Sequence, residues 1–209
     1  MKNNAFDKAR NDLYLLLNRG YPKSYALRFV SDHFGLKNEE RYILSRTVFS
    51  ESYIKETKEK KMNLKDLKGS SLFIDGYNVI ITTESVLMGE AFVSMDGLLR
   101  DTRNVSGKHR ITKDTLESID LILDLLKKYP PEKTQVYLDK MMSKSGKLSQ
   151  IIRDGMEERD LNGDSETVPS VDHTLKKCNG IVATNDSAII AEVAKFIDLP
   201  SKVKTSRGS

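Results

Sequence analysis

Cysteine is nearly absent: Cys178 is the only one in 209 residues. No internal disulfide can form, and one thiol with three scattered histidines, His33, His109 and His173, does not make a zinc site. Tryptophan is missing altogether, and Gly numbers 12 and Pro 5, which excludes collagen-like and Gly/Pro-rich low-complexity chains. No apolar run reaches the roughly 18 residues of a membrane span, and the opening MKNNAFDKAR lacks the apolar stretch of a secretory signal. These absences lead to the expectation of a cytoplasmic protein without a membrane partner. What is present, 38% apolar and 31% charged residues, supports a packed core over disorder. The length suits one large domain or an ordinary one beside a small one.

Charge is unevenly spread. Residues 1–70 carry 15 Lys/Arg against 9 Asp/Glu, whereas residues 71–209 carry 19 against 21. A basic front joined to a slightly acidic back fits a phosphate-backbone binder attached to a carboxylate site, and solvated helix faces give the same arithmetic.

The front reads as a small all-helical domain, residues 1–60. Phe6, Ala9, Leu13, Leu16 and Leu17 recur at helical spacing before Arg19-Gly20. Pro22 then opens a second helix with Tyr25, Ala26, Phe29, Val30 and Phe34 on one face, and Asn38 caps a third through Val48. Arg19, Lys23, Arg28, Arg41 and Arg46 are the candidates for a basic face. The charged run from Glu51 to Lys68 reads as a solvated helix or a linker, with the linker placed at 61–69.

From residue 70 to 209 the pattern changes to alternating strands and helices. Leu72–Ile74, Gln135–Leu138 and Gly180–Ala183 read as buried strands, and a short extended piece precedes Asp172. Helices are expected over 113–128, 147–158 and 188–197, with an edge strand at 202–205. This alternation is the mark of an α/β three-layer sandwich around a mainly parallel central sheet.

Ligands of such sheets collect at the carboxyl ends of the strands, and there the chain is acidic. Asp75 follows LFI, Asp139 follows VYL, Asp186 follows VATN, and Asp172 stands at an equivalent strand-to-helix junction. Any single one is as readily a turn or cap residue. Four carboxylates on one rim repel one another, and a hard divalent cation with oxygen ligands relieves that repulsion. Other chemistries lack their residues: Tyr77 stands where a dehalogenase-type phosphatase needs a second Asp, and no P-loop, dinucleotide fingerprint or nucleophile elbow is present.

LFIDGYNVI at 72–80 resembles the opening strand and turn of the PIN-like nucleases, NYN branch, and QVYLD, SVDHTL and VATND continue the likeness in order. The front, NRGYPKSYALRFVSDHFGL with ERYILSR, resembles an uncharacterised domain-of-unknown-function family. The first resemblance implies a metal-dependent endoribonuclease in which Asp75, Asp139, Asp172 and Asp186 hold Mg²⁺ or Mn²⁺, Asn78 orients a ligand or phosphate oxygen, and Thr184 of the Thr-x-Asp marker is a further substrate contact. RNA, single-stranded or structured, is the implied partner, and an oligomer is allowed. The further acid that such nucleases carry on their first helices has competing candidates in Glu84, Glu90, Asp96 and Asp101. In the insertion 82–112, Arg100 and Arg103 make a phosphate grip or take part in a turn and surface ion pair. Lys147 touches a phosphate, or Ser145 beside it simply caps a helix. A noncatalytic RNA- or nucleotide-binding protein and another Mg-dependent phosphate-handling enzyme stand as alternatives.

Overall fold

The computed structural model describes residues 4–101 and 109–207. The chain divides into two compact units, Met1–Glu59 with Val93–Arg100, and Lys60–Phe92 with Asp101–Ser209.

The first unit is helical. Helices α1 (Asn4–Asn18), α2 (Lys23–His33), α3 (Asn38–Thr47) and α4 (Glu51–Lys60) follow one another. Ala9, Leu13, Ala26, Val30, Leu36, Leu44 and Val48 form its core. Tyr25 and Phe29, expected on the inner face of α2, point outward at 74% and 66% exposure; Ala26 and Val30 suffice to bury a helix this short. Tyr14 Oη donates to Glu51 at 2.6 Å and the Glu51 N–H to Asn18 Oδ1 at 2.9 Å, which ties α1 to α4. The cap of α3 is Lys37, one residue before the expected Asn38, with the Lys37 N–H donating to Glu40 at 2.9 Å.

Among the described residues of the insertion are two short paired strands, β2 (Phe92–Val93) and β3 (Leu99–Arg100). Between them and the helices lies a buried charge pair, Arg100 with Asp96, in which Ser94 takes part. The Arg100 guanidinium sits 5.0 Å over the Phe49 ring, and the Met95 N–H reaches Thr47 O at 3.1 Å.

The second unit is the α/β sandwich. Strand β1 (Ser71–Asp75) runs into α5 (Gly76–Met88). The elements α6 (Lys113–Lys128), β4 (Lys133–Asp139), α7 (Ser145–Glu157), β5 (Gly163–Val168), α8 (Val171–Leu175), β6 (Ile181–Ala183), α9 (Ser187–Glu192), β7 (Phe196–Ile197) and α10 (Leu199–Arg207) follow. The sheet order is β5-β4-β1-β6-β7 with every pairing parallel. Leu72, Ile74, Val136, Leu138, Ile181 and Ala183 from the strands meet Ile119, Leu123 and Leu126 of α6 and Leu148, Ile152 and Met156 of α7 in one core.

Four segments differ from the sequence expectation, each for a packing reason. Helix α5 replaces a stretch read as part of the long insertion: it buries residues around its whole circumference, so GYNVIITT carries no polar face to reveal a helical period. Residues 61–69, expected as a linker, are held in this unit by Met62, whose N–H donates to Phe196 O at 2.7 Å, and by fully buried Leu67. The helix expected over 188–197 stops at Glu192, since Val193 turns extended and β7 adds to the sheet beside β6. The expected edge strand at 202–205 is helical instead. Pro200 occupies the first turn of α10, where a missing N–H costs nothing, and Asp198 accepts from the Ser201 N–H at 3.1 Å.

Candidate functional site

The sheet order puts β1 in the middle, between β4 and β6. The chain passes from β1 toward β4, and from β6 outward to β7, so the connections diverge between β1 and β6. That is where an open α/β sheet leaves a crevice at its carboxyl edge. Asp75 is the last residue of β1 and Asp139 the last of β4, while Thr184, Asn185 and Asp186 follow β6 directly. Asp172 lies in the first turn of α8, just beyond β5. All four aspartates singled out from the sequence therefore stand at one edge of one sheet.

Their electrostatics show that they sense one another. Burial pushes the Asp75 carboxyl up to about 7, with the Asp186 and Asp172 carboxylates raising it further against the opposing Thr184 hydrogen bond. The Asp172 carboxyl is also raised, first by burial and then by Asp186, with Asp139 adding to it and Lys176 opposing. This is the pattern of desolvated like charges facing one crevice.

Three of the four have one carboxylate oxygen fixed by the protein. Thr184 Oγ1 donates to Asp75 Oδ2 at 3.0 Å. The Met141 N–H donates to Asp139 Oδ1 at 2.7 Å. The Ala188 and Ile189 N–H groups donate to Asp186 Oδ1 at 2.7 and 3.4 Å, so Asp186 also caps α9. Each of these bonds takes one oxygen of a pair and leaves the second outside it.

Behind the carboxylates is a layer that the sequence did not resolve into roles. Thr184 is fully buried; while donating to Asp75 it accepts the Asp186 N–H at 3.1 Å. It is thus an orienting residue rather than the substrate contact expected. Asn78, half-buried, accepts the Asn185 N–H at 2.7 Å through Oδ1, which turns its amide nitrogen into the remaining polar end. Asn185 in turn donates to buried Asp198 at 2.9 Å. Asn78 and Thr184 stand out in the sequence as motif residues, whereas Asn185 and Asp198 do not.

The donor set is all carboxylate oxygen, the chemistry that hard divalent cations accept. Among the described residues, however, no three Asp, Glu, His or Cys side chains stand close enough together to hold one ion. The aspartates are within electrostatic reach of one another and not in joint ligating position.

The other expected residues are distributed as follows. Lys147 is exposed in the first turn of α7, after β4, and no side chain caps that helix, Ser145 included. Arg100 belongs to the first unit and is 1% exposed on Asp96, so its guanidinium is not offered to a phosphate. Arg103 lies outside the described residues. Of the competing helix acids, Glu84 is buried on α5, accepting from Thr115 Oγ1 at 2.6 Å and facing His109 Nε2 at 2.9 Å. Asp96 is likewise buried in its charge pair, Asp101 is buried, and Glu90 lies beyond the end of α5. Tyr77 packs edge-on against His109 at 5.6 Å and is 8% exposed, which makes it a wall and not a stacking surface. Of the expected basic face, Lys23 lies 3.6 Å from the Phe49 centroid, Arg41 donates to Asp32 at 2.6 Å, and Arg46 lies over Tyr42. Arg19 and Arg28 are exposed.

Comparison with known proteins places this architecture among uncharacterised relatives. The family model described as "Domain of unknown function (DUF5616)" matches residues 64–202, and that described as "Protein of unknown function (DUF434)" matches residues 5–60. An uncharacterized protein of Methanocaldococcus jannaschii is 40% identical over 195 residues, which cover 92% of this chain and 93% of that protein. No solved structure matches.

Proposed function

The chain belongs to the DUF5616 family, and from the chemistry of its own residues we propose that it is a metal-dependent ribonuclease of the PIN-like, NYN type that hydrolyses RNA phosphodiester bonds. The observation that carries this reading is the group of mutually repelling aspartates at the diverging strands, with Asp75 raised to about 7.

Asp75, Asp139, Asp172 and Asp186 are the residues that would hold Mg²⁺ or Mn²⁺ once side chains adjust around the ion. When bound, the cation supplies a water of lowered pKa and neutralises charge growing on the phosphoryl oxygens. The protein's contribution is orientation. Thr184 fixes one oxygen of Asp75, backbone N–H groups fix one oxygen each of Asp139 and Asp186, and Asn78 directs its amide nitrogen as a donor for a phosphate oxygen. Lys147, exposed at the start of α7, adds a positive charge on the strand-tip side. No serine or histidine nucleophile is needed.

The test is cleavage of end-labelled single-stranded RNA by the full chain in Mg²⁺, in Mn²⁺ and in EDTA, beside Asp75→Asn and Asp186→Asn. Cutting that requires the ion and falls at least about a hundredfold in both variants is the expected result. Cutting that persists in both variants refutes the assignment. One observation favours a second reading, a noncatalytic RNA- or nucleotide-binding protein: Glu84 is held by His109 and Thr115 instead of joining the strand-tip acids. RNA binding without cutting under either ion would select that reading.

A further inference from the structure

Tyr21, Tyr25, Phe29 and His33 recur at four-residue spacing in the turn before α2 and along that helix. Tyr21, Tyr25 and Phe29 are 54%, 74% and 66% exposed, and His33 is exposed as well. Four residues of helix rise about 6 Å, so Tyr25, Phe29 and His33 leave α2 at intervals of about 6 Å along its axis. The Phe29 and His33 rings lie within 11° of parallel with centroids 6.3 Å apart, and the edge of Phe34 holds the His33 ring at 4.7 Å. Two nearly parallel exposed rings offer flat faces on which bases can stack.

The charge around the row suits a polyanion. Arg19 and Arg28 are exposed beside it. The neighbouring acid, Asp32, is bound to Arg41 at 2.6 Å and approaches Arg28 only to 3.9 Å, with the Arg28 side chain 85% exposed. A loose exposed pair of this kind is worth little and yields readily to a phosphate. Along α2 the exposed positions between the rings are Ser24, Arg28 and Asp32. Rings separated by polar residues are unlike the continuous aliphatic strip that a helix presents to a protein groove.

The geometry points to this row as a platform for single-stranded RNA: bases stack on the exposed rings of Tyr25, Phe29 and His33, and Arg19 and Arg28 take the adjoining phosphates. The inference rests on the reading of RNA as the ligand and needs no catalysis, so it is tested apart from cutting. Binding of a fluorescein-labelled oligouridylate to the full chain is measured by fluorescence anisotropy in EDTA, for the parent, Tyr25→Leu, Phe29→Leu, Phe29→Tyr and Arg28→Ala. Base–aromatic stacking of the usual strength makes each leucine variant bind about tenfold more weakly. Phe29→Tyr retains the affinity, and Arg28→Ala flattens the salt dependence by about one phosphate contact. All the substitutions are at exposed positions, and circular dichroism verifies the fold of each. Leucine variants that bind as tightly as the parent overturn the proposal, as does a parent that binds no oligonucleotide. Self-association that survives leucine and is lost on Tyr25→Ala with Phe29→Ala overturns it too, making the row an interface between copies. Loss of cutting in Asp75→Asn with anisotropy unchanged bears on the aspartates alone.

Discussion

Replacing Asp75 by Asn should stabilise the metal-free protein at alkaline pH, by an amount that follows from its burial. The Asp75 carboxyl is 8% exposed and its pKa is raised from 3.8 to about 7, by burial first and then by Asp186 and Asp172. About three pKa units at 1.36 kcal/mol each give an ionisation cost of about 4 kcal/mol above pH 7. The amide keeps an oxygen to accept from Thr184 as the neutral carboxyl does, and the bond from Thr184 to the ionised form is already contained in the raised pKa. The gain expected is therefore about 4 kcal/mol at pH 8, or about 8 to 16 °C in Tm for a chain of this size. In the folded chain Asp75 holds its proton to higher pH than in the unfolded chain, so between about pH 4 and 7 the folded state binds more protons and parent stability falls as pH rises. Below pH 4 the carboxyl is neutral in both states and the difference between parent and variant should vanish. Thermal melts by circular dichroism in EDTA at pH 4, 6 and 8 measure this directly. Mg²⁺ should raise the parent's midpoint at pH 8 and leave that of Asp75→Asn nearly unmoved. A variant no more stable than the parent at pH 8, or a gain independent of pH, would refute the account of Asp75 as a desolvated, repelled carboxylate.

Three further outcomes follow from packing. Gly76→Ala places a Cβ 2.6 Å from Leu138 Cδ2 and 2.9 Å from Tyr137 O at the first residue of α5; a loss of about 1 to 3 kcal/mol is expected in denaturant titration, since backbone cannot move aside as a flexible side chain does. Asp96→Ala leaves the Arg100 guanidinium buried without its carboxylate, and a loss of about 3 to 5 kcal/mol should appear in the same titration. Deleting residues 1–59 removes Phe49 and Thr47 from beside Arg100 and Met95 and takes away the rest of the unit that contains Leu98 and Leu99, now 0% and 5% exposed. The remaining chain should bind more of an apolar dye and aggregate on heating, and a second deletion that also replaces 93–100 by a short polar turn should relieve both.

The parts of the fold that were legible carry a one-sided pattern. Helix α6 alternates Ile119, Leu123 and Leu126 with charged residues, so its period shows, and β1 and β4 are short apolar runs ending in Asp. Helix α5 was not legible because it is wrapped by core on all sides. A segment without a polar face has no period, and its β-branched residues favour strand in isolation. The end of the chain was misread for a related reason. Pro200 ends a helix when it stands inside one and is tolerated at its start, and which applies depends on β7 having joined the sheet beside β6.

For the site, the sequence by itself determined which residues stand at the strand tips, since a parallel strand that ends on Asp delivers that carboxylate to the carboxyl edge whatever surrounds it. It also carried the family likeness of the front segment, which matches residues 5–60. Only the tertiary structure decided what each residue does there. That Thr184 orients Asp75 across 109 positions of chain and that Glu84 turns to His109 and Thr115 are pairings between distant segments, and that the neighbouring Arg100 and Asp96 are buried together is decided by packing. The same holds for the outward rings of Tyr25 and Phe29, whose apolar spacing read as core. Local sequence fixes a side chain's position along its own element, but burial and partners are set by the order in which strands assemble and by which helix face finds a neighbour.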